Sequence, residues 1–215
     1  MISAGALTAP LALLLLLNCC SICAGSRSFD AAEQRAPSVR EFPRPPHTEY
    51  ARMARWLAHA SDWGTLATAD AGTGLPYGGV VSVSDGAPSH PTGRLLFYLT
   101  PMDRTTQNLA GGGASALVLA EAQRGCGPTD PEDPTCAKIT VIGRTRPVPP
   151  EGRDEAMQML VARHPVMADW PEDHGFAPFE LEVEEIHLLD FFGGMHVISS
   201  DDYFAASLDP APSAA

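Results

Sequence analysis

Residues 179–189 read FELEVEEIHLL. Phe179, Leu181 and Val183 alternate with Glu180, Glu182 and Glu184, the period of two of a strand with one face in a core and the other in water. After Glu185 the apolar phase passes to Ile186 and Leu188. A slip of one residue predicts a β-bulge, a device by which barrel strands bend. Working back along the chain, residues 65–69, 79–84, 94–99, 114–120 and 137–145 also read as strands, separated by clusters of Gly, Pro, Asp and Ser. Six strands with few helices predict a β-rich α+β chain whose sheet closes on itself.

Helical periodicity occurs in three places. Tyr50, Met53, Ala54 and Leu57 fall at i, i+3, i+4 and i+7, with Arg52 and Arg55 off that stripe and Thr48 as the N-cap. A short helix is expected over 103–110. A longer one is expected over 151–163, where Ala156, Met159, Leu160 and Arg163 share a face, and it must end before His164-Pro165.

The 215 residues hold 14 Lys plus Arg against 26 Asp plus Glu, a formal charge of -12. That excludes a nucleic-acid partner, which needs a basic face that releases counterions. Lys138 is the single lysine. Residues 7–17 (LTAPLALLLLL) are too short an apolar run for a membrane span but suit a signal-peptide core, with Cys23-Ala24-Gly25 before the cleavage point. The organisation is therefore a signal peptide over 1–25, a flexible Pro-rich lead-in over 26–46, one domain over 47–207 and a disordered tail over 208–215. Order is expected to begin near Thr48.

Removal of the signal peptide takes Cys19, Cys20 and Cys23 with it and leaves Cys126 and Cys136 in a chain bound for an oxidising compartment. A disulfide is the natural reading, stabilising by about 2.7 kcal/mol for so short a loop. The enclosed GPTDPEDPT makes it a rigid, negative excursion, and Asp130, Glu132 and Asp133 are the candidate partner-contacting residues. A metal site is the alternative for the two cysteines, although their spacing matches no zinc pattern.

The chain has no G-x-S-x-G, no H-E-x-x-H, no phosphate loop ending in Gly-Lys-Ser/Thr and no G-x-G-x-x-G. Gly111-Gly112-Gly113 reads as a turn. His164 and His174 with Asp169 and Asp173 form the sole local cluster with metal-ligand chemistry, at a spacing that suits no helix face, so no metal is expected. His187 lies on the outward phase of the last strand. No catalytic residue is assigned.

What remains is a series of words that propensity does not demand: Ser61-Asp62-Trp63-Gly64-Thr65-Leu66-Ala67-Thr68, Ser82-Val83-Ser84-Asp85-Gly86, Phe97-Tyr98-Leu99-Thr100-Pro101-Met102, Arg163-His164-Pro165, Asp169-Trp170-Pro171 and Leu189-Asp190-Phe191-Phe192-Gly193-Gly194. In this order, from about Tyr50 to Tyr203, they resemble the CREG family, the cellular repressors of adenovirus-stimulated genes. The resemblance implies a six-stranded split β-barrel of the FMN-binding, pyridoxamine-phosphate-oxidase-like type with peripheral helices, paired as a homodimer. It implies a secreted or endolysosomal regulator of growth and differentiation, non-enzymatic and without cofactor, that binds a receptor of the mannose-6-phosphate type. The segment Asp190, Phe191, Phe192, Gly193, Gly194 is then the one that occludes the former flavin pocket.

Two departures bear on those expectations. In flavoproteins of this fold a hydroxyl and then a basic residue two positions on hold the FMN phosphate. Here Thr105 takes the first slot and Gln107 the second, with Arg104 as a nearby substitute. Relatives carry N-linked sequons, yet Asn18 and Asn108 are not followed by x-Ser/Thr, and Glu182 stands where relatives have a glycosylated Asn. A chain without N-glycan has no mannose-6-phosphate to present, which leaves direct protein contact as the receptor mode. The negative excess is expected in the cystine loop and along the last strand, with a basic patch on the partner as complement. The alternative functions are an FMN-dependent oxidoreductase on the same fold and a nuclear corepressor.

Overall fold

The computed structural model describes residues 42–208. The signal peptide with its three cysteines, nearly all of the lead-in and the tail beyond Leu208 lie outside the described residues. Seven antiparallel strands form one sheet: β1 (Trp63–Ala69), β2 (Pro76–Ser82), β3 (Leu96–Leu99), β4 (Ala114–Ala120), β5 (Lys138–Pro147), β6 (Ala177–Leu189) and β7 (His196–Ser199). Six of them run in the order β2-β1-β4-β5-β6-β3, and β7 pairs with β6. The sheet curls until its two edges meet at a single bridge, Ser84 to Leu96. The curl leaves β2 and β3 otherwise apart, and this opening makes the barrel split.

The slip in FELEVEEIHLL is the bend. Ile142 faces Glu185 while Gly143 faces Val183, so Glu184 is the extra residue and the register shifts there. Up to Val183 the odd-numbered side chains of β6 point inward. Beyond the bulge Ile186 and Leu188 take over, both fully buried. One strand thereby keeps an apolar face on a curving core.

Helix α1 (Tyr50–Ala60) lays Met53, Ala54, Trp56 and Leu57 into that core. Its N-cap is Glu49, not Thr48, and Tyr50 stays partly exposed, stacked on His196 at 3.7 Å. Helix α2 (Arg104–Leu109) joins β3 to β4. Helix α3 (Arg153–Arg163) follows a 3-10 turn at Pro150–Gly152 and packs a second cluster of Leu96, Val148, Ala156, Leu160 and Met167. Helix α4 (Ser200–Ala205) buries Tyr203, whose hydroxyl donates to the Gly93 carbonyl at 3.0 Å.

Both ends of the expected domain extend further than the sequence reading placed them. Phe42 belongs to the core, and its carbonyl accepts from Trp56 Nε1 at 2.9 Å. At the other end Leu208 is buried too. Large apolar side chains at the margins of low-complexity stretches account for both extensions. No helix of the described residues is long and apolar enough to cross a membrane.

Candidate functional site

Three of the six unusual sequence words meet in one buried ion cluster. Arg163 ends α3 with its side chain 1% exposed. Its Nη2 donates to the carbonyls of His59 (2.8 Å) and Ser61 (3.3 Å) and to Asp62 Oδ1 (3.1 Å), and Nη1 reaches Asp85 Oδ1 at 3.4 Å. Asp85 also meets His59 Nδ1 at 2.7 Å. The neighbouring His164 sets Nε2 2.9 Å from the Val83 carbonyl, and burial pushes its pKa down. These residues fasten α3 and the end of α1 to the segment after β2. They act as structural fasteners, with Arg163 and Asp85 out of contact with solvent. The sequence reading put Arg163 on the core face of its helix but did not foresee the carboxylates that receive it.

The split itself holds a pocket of about 190 Å³, lined by Val80, Val81 and Ser82 on one edge, Tyr98, Leu99 and Thr100 on the other, and Asp103, Trp170 and Phe176 beyond. Its far wall is built by the loop between α3 and β6. Thr100 Oγ1 donates to the His174 carbonyl at 2.6 Å, holding that loop over β3. Tyr98, Trp170 and Phe176 then pack ring on ring, with centroids 4.7 to 5.7 Å apart. Asp103 caps α2 without a side-chain cap bond. Sequence reasoning named the words that supply Tyr98 and Trp170 but could not join them, because four separated segments make the pocket.

The candidate phosphate-holding residues lie beside this pocket, on α2: Gln107 and Arg104 are engaged elsewhere, whereas Thr105 Oγ1 is buried without a hydrogen-bond partner. Thr105 is fully buried, and a Cβ at Gly79 would come within 2.2 Å of its Oγ1. Gln107 Nε2 donates to the Pro101 carbonyl at 3.0 Å. Arg104, the possible substitute base, is paired with Asp70, its Nε 3.0 Å from Oδ2. Asp70 is held in turn by Gly72 N and Thr73, and the Arg104 guanidinium keeps its carboxyl well below the usual range. A flavin phosphate is a dianion that needs donors and free positive charge. These residues do not fit it. The pocket is also smaller than the roughly 300–1,000 Å³ usual for a cofactor site.

Cys126 and Cys136 form a disulfide with Cα atoms 5.6 Å apart. Within its loop Asp130 Oδ1 accepts from Glu132 N (2.8 Å), and Asp133 Oδ1 accepts from the amide (2.8 Å) and hydroxyl (2.6 Å) of Thr135. The Thr135 bonds lower the Asp133 pKa. Lys138 Nζ is ringed by the carbonyls of Pro131, Glu132, Asp133 and Cys136 at 3.0 to 3.3 Å. Two of the three candidate carboxylates thus shape the loop, and Glu132 projects from it into solvent.

At the other candidate segment Asp190 is buried against Arg44, and burial pushes its carboxyl up. Phe191 stacks on His47 at 4.2 Å, and Phe192 is 67% exposed. Gly193 and Gly194 turn the chain at φ 118° and 104°. Neither ring lines the pocket in the split. His174 Nε2 lies 4.0 Å from Asp173 Oδ1, but His164 is turned to the Val83 carbonyl, and the described residues hold no cluster of three or more metal-ligating side chains. His187 is only partly solvated, with Nε2 2.6 Å from Glu185 Oε1. The glutamate row of β6 is not a free anionic edge either. Glu180, Glu182 and Glu184 pair with Arg94 (2.7 Å), Arg146 (3.1 Å) and Arg144 (3.2 Å).

The outer face of the sheet carries a cross-strand row over six strands in which valines are interspersed with polar side chains. Val80, Thr65, Val118, Thr140, His187 and Val197 are successive cross-strand partners. Val80, Val118 and Val197 are 74%, 40% and 59% exposed.

Comparison with known proteins accords with this geometry. The family described as "CREG, beta-barrel" matches residues 45–205. Protein CREG1 of Mus musculus is 35% identical over 173 residues, spanning 77% of this chain and 78% of the relative. Protein CREG1 of Homo sapiens is 36% identical over 168 residues, 75% of this chain and 76% of the relative. Among solved structures, a heme binding protein from Mycobacterium smegmatis superposes with a TM-score of 0.61 at 18% identity, covering 76% of this chain and 62% of that one. A pyridoxinephosphate oxidase family protein from Clostridium acetobutylicum, related to general stress protein 26 of B. subtilis, gives 0.52 at 11%, covering 72% and 97%. These two likenesses establish the split-barrel fold. By sequence and by fold together, the chain belongs to the CREG family.

Proposed function

We propose that this protein is a secreted or endolysosomal, non-enzymatic regulator of cell growth and differentiation that works as a homodimer through protein–protein binding. The observation that carries the reading is the engagement of Arg104 with Asp70 and of Gln107 with the Pro101 carbonyl. The charged and amide groups nearest the fold's phosphate slot are bound to the chain itself, which disfavours the FMN oxidoreductase alternative. A signal-like apolar run at residues 7–17 and the disulfide accord with an oxidising destination.

Three exposed valines on the sheet's outer face, Val80, Val118 and Val197, support a dimer across that face, because exposed apolar side chains there gain by association. Receptor binding proceeds by direct protein contact, since the sequence offers no N-glycan acceptor. Sedimentation of the purified protein is expected to give a dimer that Val118→Lys converts to a monomer. Labelled dimer is expected to bind cells saturably with no flavin added. A flavin-dependent oxidase activity in the same preparation would overturn the reading.

A further inference from the structure

The pocket in the split has walls suited to a ligand quite unlike a flavin. Tyr98, Trp170 and Phe176 supply three aromatic rings, while Ser82 and Thr100 add hydroxyls. Asp103 supplies the one charge: no Lys or Arg lines the pocket. The adjacent base in sequence, Arg104, is already paired with Asp70. The described residues give the Asp103 carboxylate no hydrogen-bond or ion-pair partner, and it makes no cap bond to its own helix. A half-buried carboxylate beside an apolar wall attracts a cation more strongly than one in open water. Ring faces attract cations through their quadrupole, and the attraction grows as the cation is desolvated.

We propose that this pocket is a binding site for an organic ammonium group, a compact alkylated cation whose apolar body meets Tyr98, Trp170 and Phe176 while its charge faces Asp103. The volume of about 190 Å³ suits a head group of this size and not a ring system. The loop carrying Trp170 and Phe176 is pinned by the Thr100 bond to His174, so the site is preformed. This site stands apart from the cystine loop and shares Val80 alone with the outer-face row, and its ligand chemistry does not depend on the partner-binding reading.

The test compares choline with its neutral carbon isostere, 3,3-dimethyl-1-butanol, titrated into the disulfide-bonded protein at constant ionic strength and followed by chemical shifts of the Thr100–Asp103 amides and the Trp170 indole. Choline is expected to bind saturably in the millimolar range, about tenfold more tightly than the alcohol. Asp103→Asn keeps the size of the side chain while removing its charge and is expected to abolish the preference. Trp170→Leu is expected to weaken choline binding and serves as the second variant if the first fails to fold. Absence of a saturable choline response at these residues, equal binding of the alcohol, or an unchanged preference in folded Asp103→Asn would each overturn the proposal.

Discussion

Gly143 lies against the backbone carbonyl of Glu182, where a Cβ would come within 2.0 Å of the oxygen. This contact sits at the register shift made by Glu184, so β5 can follow the bend of β6 only if residue 143 has no side chain. The obstacle is backbone on both sides and has little room to yield. Gly143→Ala is therefore expected to destabilise by about 3 kcal/mol, the upper end for overpacking. Urea denaturation measures it; a loss below about 1 kcal/mol would mean the bend is not fixed there.

Arg163 gives the largest single-residue effect. Arg163→Met leaves Asp85 buried without its cation and strips donors from the His59 and Ser61 carbonyls. A loss of about 3–5 kcal/mol is expected. Arg146→Met, which removes a pair half in water, is expected to cost under about 1 kcal/mol. Equal effects in chemical denaturation would refute the distinction between fastener and surface pair.

How far the chain could be read in advance depended on whether the signal was local. The alternation in FELEVEEIHLL and its slip were visible because strand period and bulge are written within one segment. The short β7 escaped notice, as four residues carry too little period. Helix α4 had a usable signal, since Ser199 and Asp202 form an N-terminal cap in which Ser199 Oγ accepts from Asp202 N at 3.1 Å. Arg55 lay off the apolar stripe of α1 and reads as solvated. It is buried instead, its guanidinium 5.3 Å from the Tyr203 ring centroid and Nη2 donating to the Pro91 carbonyl. Buried cations, like the pocket, are set by partners distant in sequence, and periodicity cannot see those.

Acid should weaken the protein partly through His164. Its ordinary pKa is 6.5 and burial lowers the folded value, so the unfolded chain takes up the proton more readily. Its contribution is present in full above about 6.5 and is lost as pH falls toward the lowered folded value. His164→Gln keeps a donor for the Val83 carbonyl and cannot titrate. Thermal melts are expected to show the wild type losing more stability than the variant between neutral and mildly acidic pH. Parallel curves would exclude His164 as the titrating group.

The cystine loop separates binding from shape. Replacing Asp130, Glu132 and Asp133 together removes turn bonds along with charge, so a loss of partner binding would be ambiguous. Glu132→Arg reverses one projecting charge and leaves those bonds intact. Saturable binding to cells is expected to weaken severalfold with the melting temperature unchanged. Unaltered binding would remove the loop as the partner surface.

Loss of the flavin is the central property of this chain to test. Titration of FMN into the purified, disulfide-bonded protein, followed by absorbance and by quenching of flavin fluorescence, tests whether residues 104–107 still hold a phosphate. The account predicts a colourless protein and no saturable binding, with Arg104 retained by Asp70 and Gln107 by the Pro101 carbonyl. A yellow preparation carrying one flavin per chain, or saturable FMN binding in the micromolar range, would contradict it.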